Sequence, residues 1–301
     1  MSEIGNSRFL VIGKNGRIST ELMSQLGQSL DPSSLKNFSS RGLLTGKENE
    51  KLYAENFDAN LHKNTFIWAS GSSGARSSNA ECEIDELALR KTMEHIVDQD
   101  MNRPLFCYLS SGGTVYGKSP GHVNELSPLN PQSAYAEMKV RSEEFLRDIA
   151  SENKIDLIVL RLANIYGSRM TNAKQGLVDL ALSGNLQKLS ANLNSTKQYG
   201  TFRDYASSII QIINLKITEN WDDKINTLNV YPPHEYSIGK ILHLTEGLGP
   251  LDLQTLIQNQ TERLEEETVI LERVSKIPML RENWVTLERY IEDVQLSDGR
   301  R

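Results

Sequence analysis

Five short apolar runs in the first 160 residues of the chain each end in a cluster of glycine, serine or other polar residues, and this recurrence limits the fold more than any other feature. The runs are Arg8–Ile12, Leu35–Phe38, Thr65–Ala69, Leu105–Leu109 and Ile155–Leu160. Runs so short, closed by turn residues, read as buried strands. Between them lie stretches with helical spacing of apolar residues. Leu22, Met23 and Leu26 follow the first run, Ile84, Leu87, Met93 and Ile96 the third, and Met138, Ser142, Phe145 and Ile149 the fourth. Strands alternating with helices predict an α/β fold, a doubly wound parallel sheet with right-handed crossovers. In such a sheet the polar strand ends open into a crevice along the carboxyl edge.

Beyond residue 167 the alternation stops. Asn-rich stretches near 185–194, the cluster Phe202-Arg203-Asp204-Tyr205 and one strand candidate, Thr227–Val230, interrupt helical segments, and Glu262–Glu272 is charge-rich enough for a solvated face. Residues 1–167 are therefore expected to form the sheet domain and 168–301 mainly a smaller domain capping the crevice. A segment near 204–232 is expected to return to the main sheet.

The strand-end residues carry the chemistry. After the first strand, Gly13-Lys-Asn-Gly16-Arg17-Ile18-Ser19 enters a helix. Glycines there admit a pyrophosphate to the backbone N–H groups and the positive end of the helix, although a plain strand-to-helix turn has the same composition. After the second strand stand Ser39, Ser40 and Arg41, with no acid. A carboxylate at that point favours a free ribose 2′-hydroxyl and a basic group a 2′-phosphate, while a solvated arginine is the alternative. Ala69, Ser70 and Gly71 open a loop too rich in small residues to pack, suited to lining a crevice or to linking elements.

The fourth strand runs into Ser110-Ser111-Gly112-Gly113-Thr114-Val115-Tyr116-Gly117, and a helix further on carries Tyr135 and Lys139. Four residues apart, these two side chains share one helix face. A phenol with a reference pKa of about 10 is a poor proton donor or acceptor near neutrality, and a nearby ammonium is expected to lower it. A hydroxyl from the strand-end loop could then hold a carbonyl or alcohol against Tyr135.

The formal net charge of −6 argues against a nucleic-acid or anionic-membrane surface. Cys82 and Cys107, with His62, His95, His122, His234 and His243, show no metal-ligand spacing, so no metal is expected. The N-terminal residues lack a basic segment followed by an apolar one, and no apolar stretch approaches membrane-spanning length, which makes a cytoplasmic location the expectation.

Together the glycine turn, the Ser-Ser-x-x-x-Val-Tyr-Gly loop, Tyr-x-x-x-Lys, Asn164 in Arg-x-x-Asn-x-Tyr-Gly and Arg203-Asp204-Tyr205 resemble the extended short-chain dehydrogenase/reductase family, and within it the nucleotide-sugar epimerase and dehydratase branch. The resemblance implies a Rossmann-type domain holding NADP or NAD at Gly13, Gly16, Arg17, Ile18, Ser39, Ser40, Arg41, Ala69, Ser70 and Gly71. It implies Tyr135 as acid/base, Lys139 on the nicotinamide ribose, and Thr114, Asn164 and Arg203 facing a nucleotide-sugar. The chain departs from the family at Gly112, where the catalytic Ser or Thr usually stands, so that the flanking Ser111 first and Thr114 second are the catalytic hydroxyls the resemblance implies, and at Gly113 and Thr114, which supply none of the carboxylates of the dehydratases. Reduction of a 4-keto nucleotide-sugar with NADP(H) is therefore the leading expectation. An epimerase with tightly held NAD and a non-catalytic NADP-binding regulator are the alternatives. Related enzymes dimerise through the Tyr-x-x-x-Lys helix and its neighbour, here near 132–150 and 84–97, so a homodimer is also implied.

Overall fold

The computed structural model describes residues 7–45, 63–99, 101–117, 121–167, 176–183, 186, 192–218, 226–246, 268–274 and 284–297. Residues 1–6, most of the Asn-rich stretch and 262–267 of the charge-rich stretch lie outside the described residues.

In chain order the elements are β1 (Ser7–Ile12), α1 (Arg17–Leu26), β2 (Leu35–Phe38), α2 (Ser40–Leu44), β3 (Lys63–Trp68), α3 (Asn79–Val97), β4 (Leu105–Ser111), the single turn α4 (Gly112–Val115), β5 (Gly121–Val123) and α5 (Ala134–Glu152). They continue with β6 (Asp156–Leu162), β7 (Asn164–Tyr166), α6 (Leu177–Leu182), β8 (Thr196–Thr201), α7 (Phe202–Ile217), β9 (Thr227–Val230), β10 (Glu235–Ser237), α8 (Ile238–Thr245), β11 (Val269–Leu271) and α9 (Leu287–Ser297).

Six strands form a parallel sheet in the order β2-β1-β3-β4-β6-β9. This is the Rossmann-type doubly wound arrangement. Alternate residues of each strand feed cores on opposite faces. Phe9, Val11, Ile67, Cys107, Ile158 and Leu160 join one, and Leu10, Ile12, Phe66, Trp68, Phe106 and Val159 the other. Burial on both faces is why these strands read as unbroken apolar runs. The order reverses beside β1, and a crevice opens at the carboxyl ends of β3, β4 and β6.

Helix termini follow local chemistry. Ser78 caps α3 in a reciprocal box with Glu81, and the Ser133 hydroxyl accepts from the Ala136 N–H to start α5. The apolar stripe expected on α3 needs a correction. Met93 and Ile96 are buried, but Ile84 and Leu87 are each 47% exposed, and Cys82, Ala88 and Leu89 are buried in their place. Leu87 borders a groove shared with α5.

A smaller sheet, in the order β10-β8-β11-β5 with β7 paired to β8, covers one end of the crevice. Several of its strands have three residues, so no sequence period announces them. Val269–Leu271, inside the stretch read as a solvated face, is a fully buried strand. The chain then recrosses. Helix α7 packs on α1, and β9 completes the edge of the large sheet. No helix among the described residues is long and apolar enough to cross a membrane.

Candidate active site

The glycine turn after β1 is tightly constrained. Gly13 has φ of +143°, and a Cβ there would come 2.6 Å from the Ala69 carbonyl oxygen. Its N–H donates to the Phe38 carbonyl at 2.8 Å, and the Lys14 N–H to the same oxygen at 3.0 Å, which ties the turn to the end of β2. Asn15 takes the left-handed conformation, with φ of 71°, which short polar side chains tolerate. Gly16 caps α1 without a side-chain hydrogen bond, so the first N–H groups of the helix keep their capacity for an anion. Ser19 is fully buried, as helix packing requires of a small residue at that point.

Beside the first turn of α1 lies a crevice of about 820 Å³. Arg17, Ile18, Ala69, Ser70, Gly71, Ser111, Thr114, Tyr135, Lys139 and Asn164 all line it. The uncapped end of α1 brings Arg17 and Ile18 into this lining together with Tyr135 and Lys139, a set that suits a dinucleotide, while Gly13 and Gly16 lie outside the lining and are required by the packing of the turn on Ala69 and on itself. Its charged lining consists of Arg17, Arg76, Lys139 and Asp85, a cationic balance in a chain of negative net charge.

Helix α5 grips three consecutive residues of β4 with side chains four apart. Tyr135 hydrogen-bonds the Ser111 side chain. The Lys139 ammonium donates to the Leu109 carbonyl at 2.9 Å, and the Ser110 hydroxyl donates to the Glu143 carboxylate at 2.6 Å. Burial pushes the Tyr135 phenol up to about 12, with the Ser111 hydrogen bond opposing it only partly. Lys139, also desolvated, is pulled down to about 8 against the upward influence of Asp85 and Glu143. The lowered phenol expected from the i, i+4 spacing is therefore not found. The Lys139 ammonium lies 5.6 Å from the Tyr135 ring centroid and is spent on a backbone carbonyl, so desolvation decides the phenol's pKa.

A side chain at Gly112 would have to displace its neighbours. A Cβ there would run into Leu271 Cδ1 of β11 and come 3.0 Å from the Arg161 carbonyl oxygen. Ser111, one residue earlier, is the hydroxyl set against Tyr135, whereas Thr114 Oγ1 makes a long 3.5 Å contact with the Ser111 carbonyl. Asn164 donates to the Gln198 carbonyl at 3.1 Å and packs beside Gly113.

Other expected residues stand apart from the crevice lining. Ser39 accepts from the Gly42 N–H as the cap of α2, Ser40 pairs with the Ser70 hydroxyl at 2.5 Å, and Arg41 is exposed on α2. Arg203 lies on the far side of α7, exposed, with its carbonyl accepting from Gln25 of α1 at 3.0 Å. The Thr201 cap starts α7 there and turns Arg203 away from the crevice. Sequence reading missed Asp85, whose carboxylate accepts from the Ser73 N–H at 2.8 Å and from the Ser72 and Ser73 hydroxyls, pinning the Gly/Ser loop after β3. An acid at a helical position facing a Ser-rich loop carries no spacing signal. Among the described residues no group of His, Cys, Asp or Glu could hold a metal ion.

Residues 55–226 match the model of the NAD dependent epimerase/dehydratase family. Over 77 residues the chain is 42% identical to the dTDP-4-dehydro-6-deoxyglucose reductase of Escherichia coli, which spans 25% of this chain and 24% of that protein. The curated relatives are matched over 24% to 52% of their own lengths. The fold is shared with the UDP-glucose 4-epimerase of Thermotoga maritima, solved with UDP-glucose, at a TM-score of 0.70, 14% identity and coverage of 96% and 99% of the two chains. It is also shared with the UDP-glucose 4-epimerase of Thermus thermophilus, solved with NAD, at 0.64, 17% identity and coverage of 79% and 82%.

Proposed function

Since the chain belongs to the NAD dependent epimerase/dehydratase family, we propose that it is an oxidoreductase of nucleotide-activated sugars that reduces a 4-keto sugar with NADP(H). The observation that carries this reading is the placement of the Tyr135 phenol against Ser111 in a crevice that the first turn of α1 borders through Arg17 and Ile18. Gly13, Gly16 and the first turn of α1 would hold the diphosphate of the dinucleotide, and Lys139 its nicotinamide ribose. A bound nicotinamide supplies the hydride. Tyr135, protonated throughout the neutral range, gives the proton to the carbonyl oxygen that Ser111 orients. Neither Gly113 nor Thr114 offers a carboxylate to expel water, which supports reduction over dehydration. Thr114 and Asn164, on the opposite wall, would contact the sugar nucleotide, whereas Arg203 in its present position would not reach it. Residues 168–301 would supply much of that wall, and the exposed Ile84 and Leu87 of α3 support a homodimer through α3 and α5.

The deciding assay incubates the purified protein with NADPH or NADH and a panel of 4-keto nucleotide-sugars while nicotinamide absorbance is followed. Oxidation of NADPH is the expected result. Interconversion of UDP-glucose without added dinucleotide would instead mark an epimerase holding NAD, and binding without turnover of any sugar a regulator.

The two loop hydroxyls should be unequal. Ser111→Ala is expected to lose the larger part of turnover, because Ser111 is bonded to Tyr135, and Thr114→Val the smaller; equal and negligible losses would remove the hydroxyl from the mechanism. Cofactor choice is open to a separate test. Arg41 is exposed just past β2, and Lys14 is tied to the same strand end, so a 2′-phosphate would meet cations and no acid. Charge-assisted bonds contribute roughly 1.5–3 kcal/mol net, about ten- to hundredfold in preference. Arg41→Ala should weaken NADPH by most of that factor and leave NADH unchanged, while parallel losses would mean that Arg41 serves the adenine.

A further inference from the structure

Arg17 is the first residue of α1, and its side chain crosses the crevice instead of following the helix. Its Nη1 lies 3.4 Å from Asp179 Oδ2 on α6, and its guanidinium sits over the Phe202 ring, 4.8 Å from the centroid. The Arg17 side chain is 22% exposed and that of Asp179 only 2%. The other oxygen of Asp179 accepts from the Gly167 N–H at 2.9 Å, so this buried carboxylate keeps a donor whether or not Arg17 stays. Helix α1 belongs to the large-sheet layer, whereas α6 packs on α8 beside the small sheet. The ion pair therefore ties one wall of the crevice to the other, directly above the uncapped end of α1.

A separation of 3.4 Å is long for a charge-assisted hydrogen bond, which closes to about 2.7–2.9 Å when unstrained. Arg17 is thus held in reach of Asp179 but short of its best geometry, and it stands where a diphosphate on the α1 terminus would offer a stronger anion. We propose that Arg17 and Asp179 form a clasp across the crevice that a bound diphosphate opens by taking the guanidinium. Asp179 then sets dinucleotide affinity from the opposite wall without touching the ligand. This rests on the dinucleotide reading above. Coupling of this kind is reciprocal: whatever Asp179 costs the ligand, the ligand costs the tie between the two walls.

The test titrates NADPH and NADH against wild type, Asp179→Asn, Arg17→Met and the double variant, with UDP as a second probe, and records Tm without ligand. Asp179→Asn keeps an acceptor for the Gly167 N–H and removes the competing charge, so it should bind the dinucleotide about five- to tenfold more tightly. Arg17→Met keeps an apolar contact with Phe202 and should bind about ten- to hundredfold more weakly. In the Arg17→Met background, Asp179→Asn should change nothing. A lower Tm for Asp179→Asn with unchanged or weaker dinucleotide binding would show a purely structural tie and overturn the clasp. Should that variant fail to fold, Arg17→Met decides alone, since an unchanged dinucleotide affinity overturns the proposal. A tightening that follows UDP and not NADPH or NADH would assign the diphosphate to the sugar nucleotide and overturn the dinucleotide clasp. Failure of wild type to bind either dinucleotide overturns the dinucleotide reading and the clasp with it, whereas tight binding by every variant in equal measure overturns the clasp alone.

Discussion

Tyr135→Phe is expected to bind the dinucleotide as wild type does and to lose at least about a hundredfold in turnover, within the range of about 10²–10⁴ that general acid/base groups supply. The ring remains to fill its place beside Ser111, so the loss reports the hydroxyl alone. Burial holds the phenol at about 12, and wild type therefore keeps its proton over the whole working range. The alkaline limit should come from Lys139 instead. Its ammonium faces Tyr135 and Glu143 on α5, Tyr108 on β4, and Asp85 and Cys82 on α3, and desolvation brings it to about 8. A lysine is charged below its pKa, so turnover should decline as pH rises through about 8, and Lys139→Met should flatten that limb at a low rate. Near-normal turnover in Tyr135→Phe would remove the tyrosine from the mechanism.

The parts of this site visible in sequence were those carried by strand ends. Ala69, Ser111 and Asn164 each follow a run buried on both faces and line the crevice, and such runs announce both the strand and the crevice at its end. What escaped depends on contacts between distant segments. The three-residue strands Gly121–Val123 and Val269–Leu271 pair with each other across a long stretch of chain, and nothing local marks either. Leu271 then occupies the space over Gly112, a contact supplied by a segment far along the chain. Arg203 illustrates the converse error. Its composition matched a ligand-binding cluster, but the Thr201 cap makes Phe202 the first residue of a helix, and helix geometry then carries Arg203 toward α1.

Glu143→Ala should be the most destabilising single change in the large-sheet layer. Glu143 is completely buried and accepts from Arg161 Nη2 at 2.7 Å, Arg147 Nη2 at 2.9 Å and the Ser110 hydroxyl at 2.6 Å. Arg161, itself 3% exposed, also donates to the Tyr116 hydroxyl at 2.9 Å, and that hydroxyl donates to Asn229 Oδ1 at 2.8 Å. The pair thus joins β4, α5, β6 and β9, and Asn229 extends it to the Glu272 carbonyl just beyond the small sheet. Removing the carboxylate strands the guanidinium in the interior, and breaking a buried pair from one side costs about 3–5 kcal/mol, roughly 5–8 °C in Tm. Burial alone would raise the Glu143 carboxyl, but Arg161, Ser110 and Arg147 outweigh it and hold it below the ordinary glutamate range. A carboxylate depressed in this way stabilises the fold above the unfolded-state value and loses that contribution as pH falls through the folded one. The deficit of Glu143→Ala should accordingly be full at neutral pH and shrink on acidification. Replacing both partners, as in Glu143→Met with Arg161→Leu, should recover much of the stability, because the desolvation of two charges is removed along with their attraction. Denaturant titration of the single and double variants at neutral and acidic pH measures these differences. A loss below about 1 kcal/mol for Glu143→Ala would put the pair on the footing of an exposed one and end its role in holding Ser110, and through it Ser111, against α5.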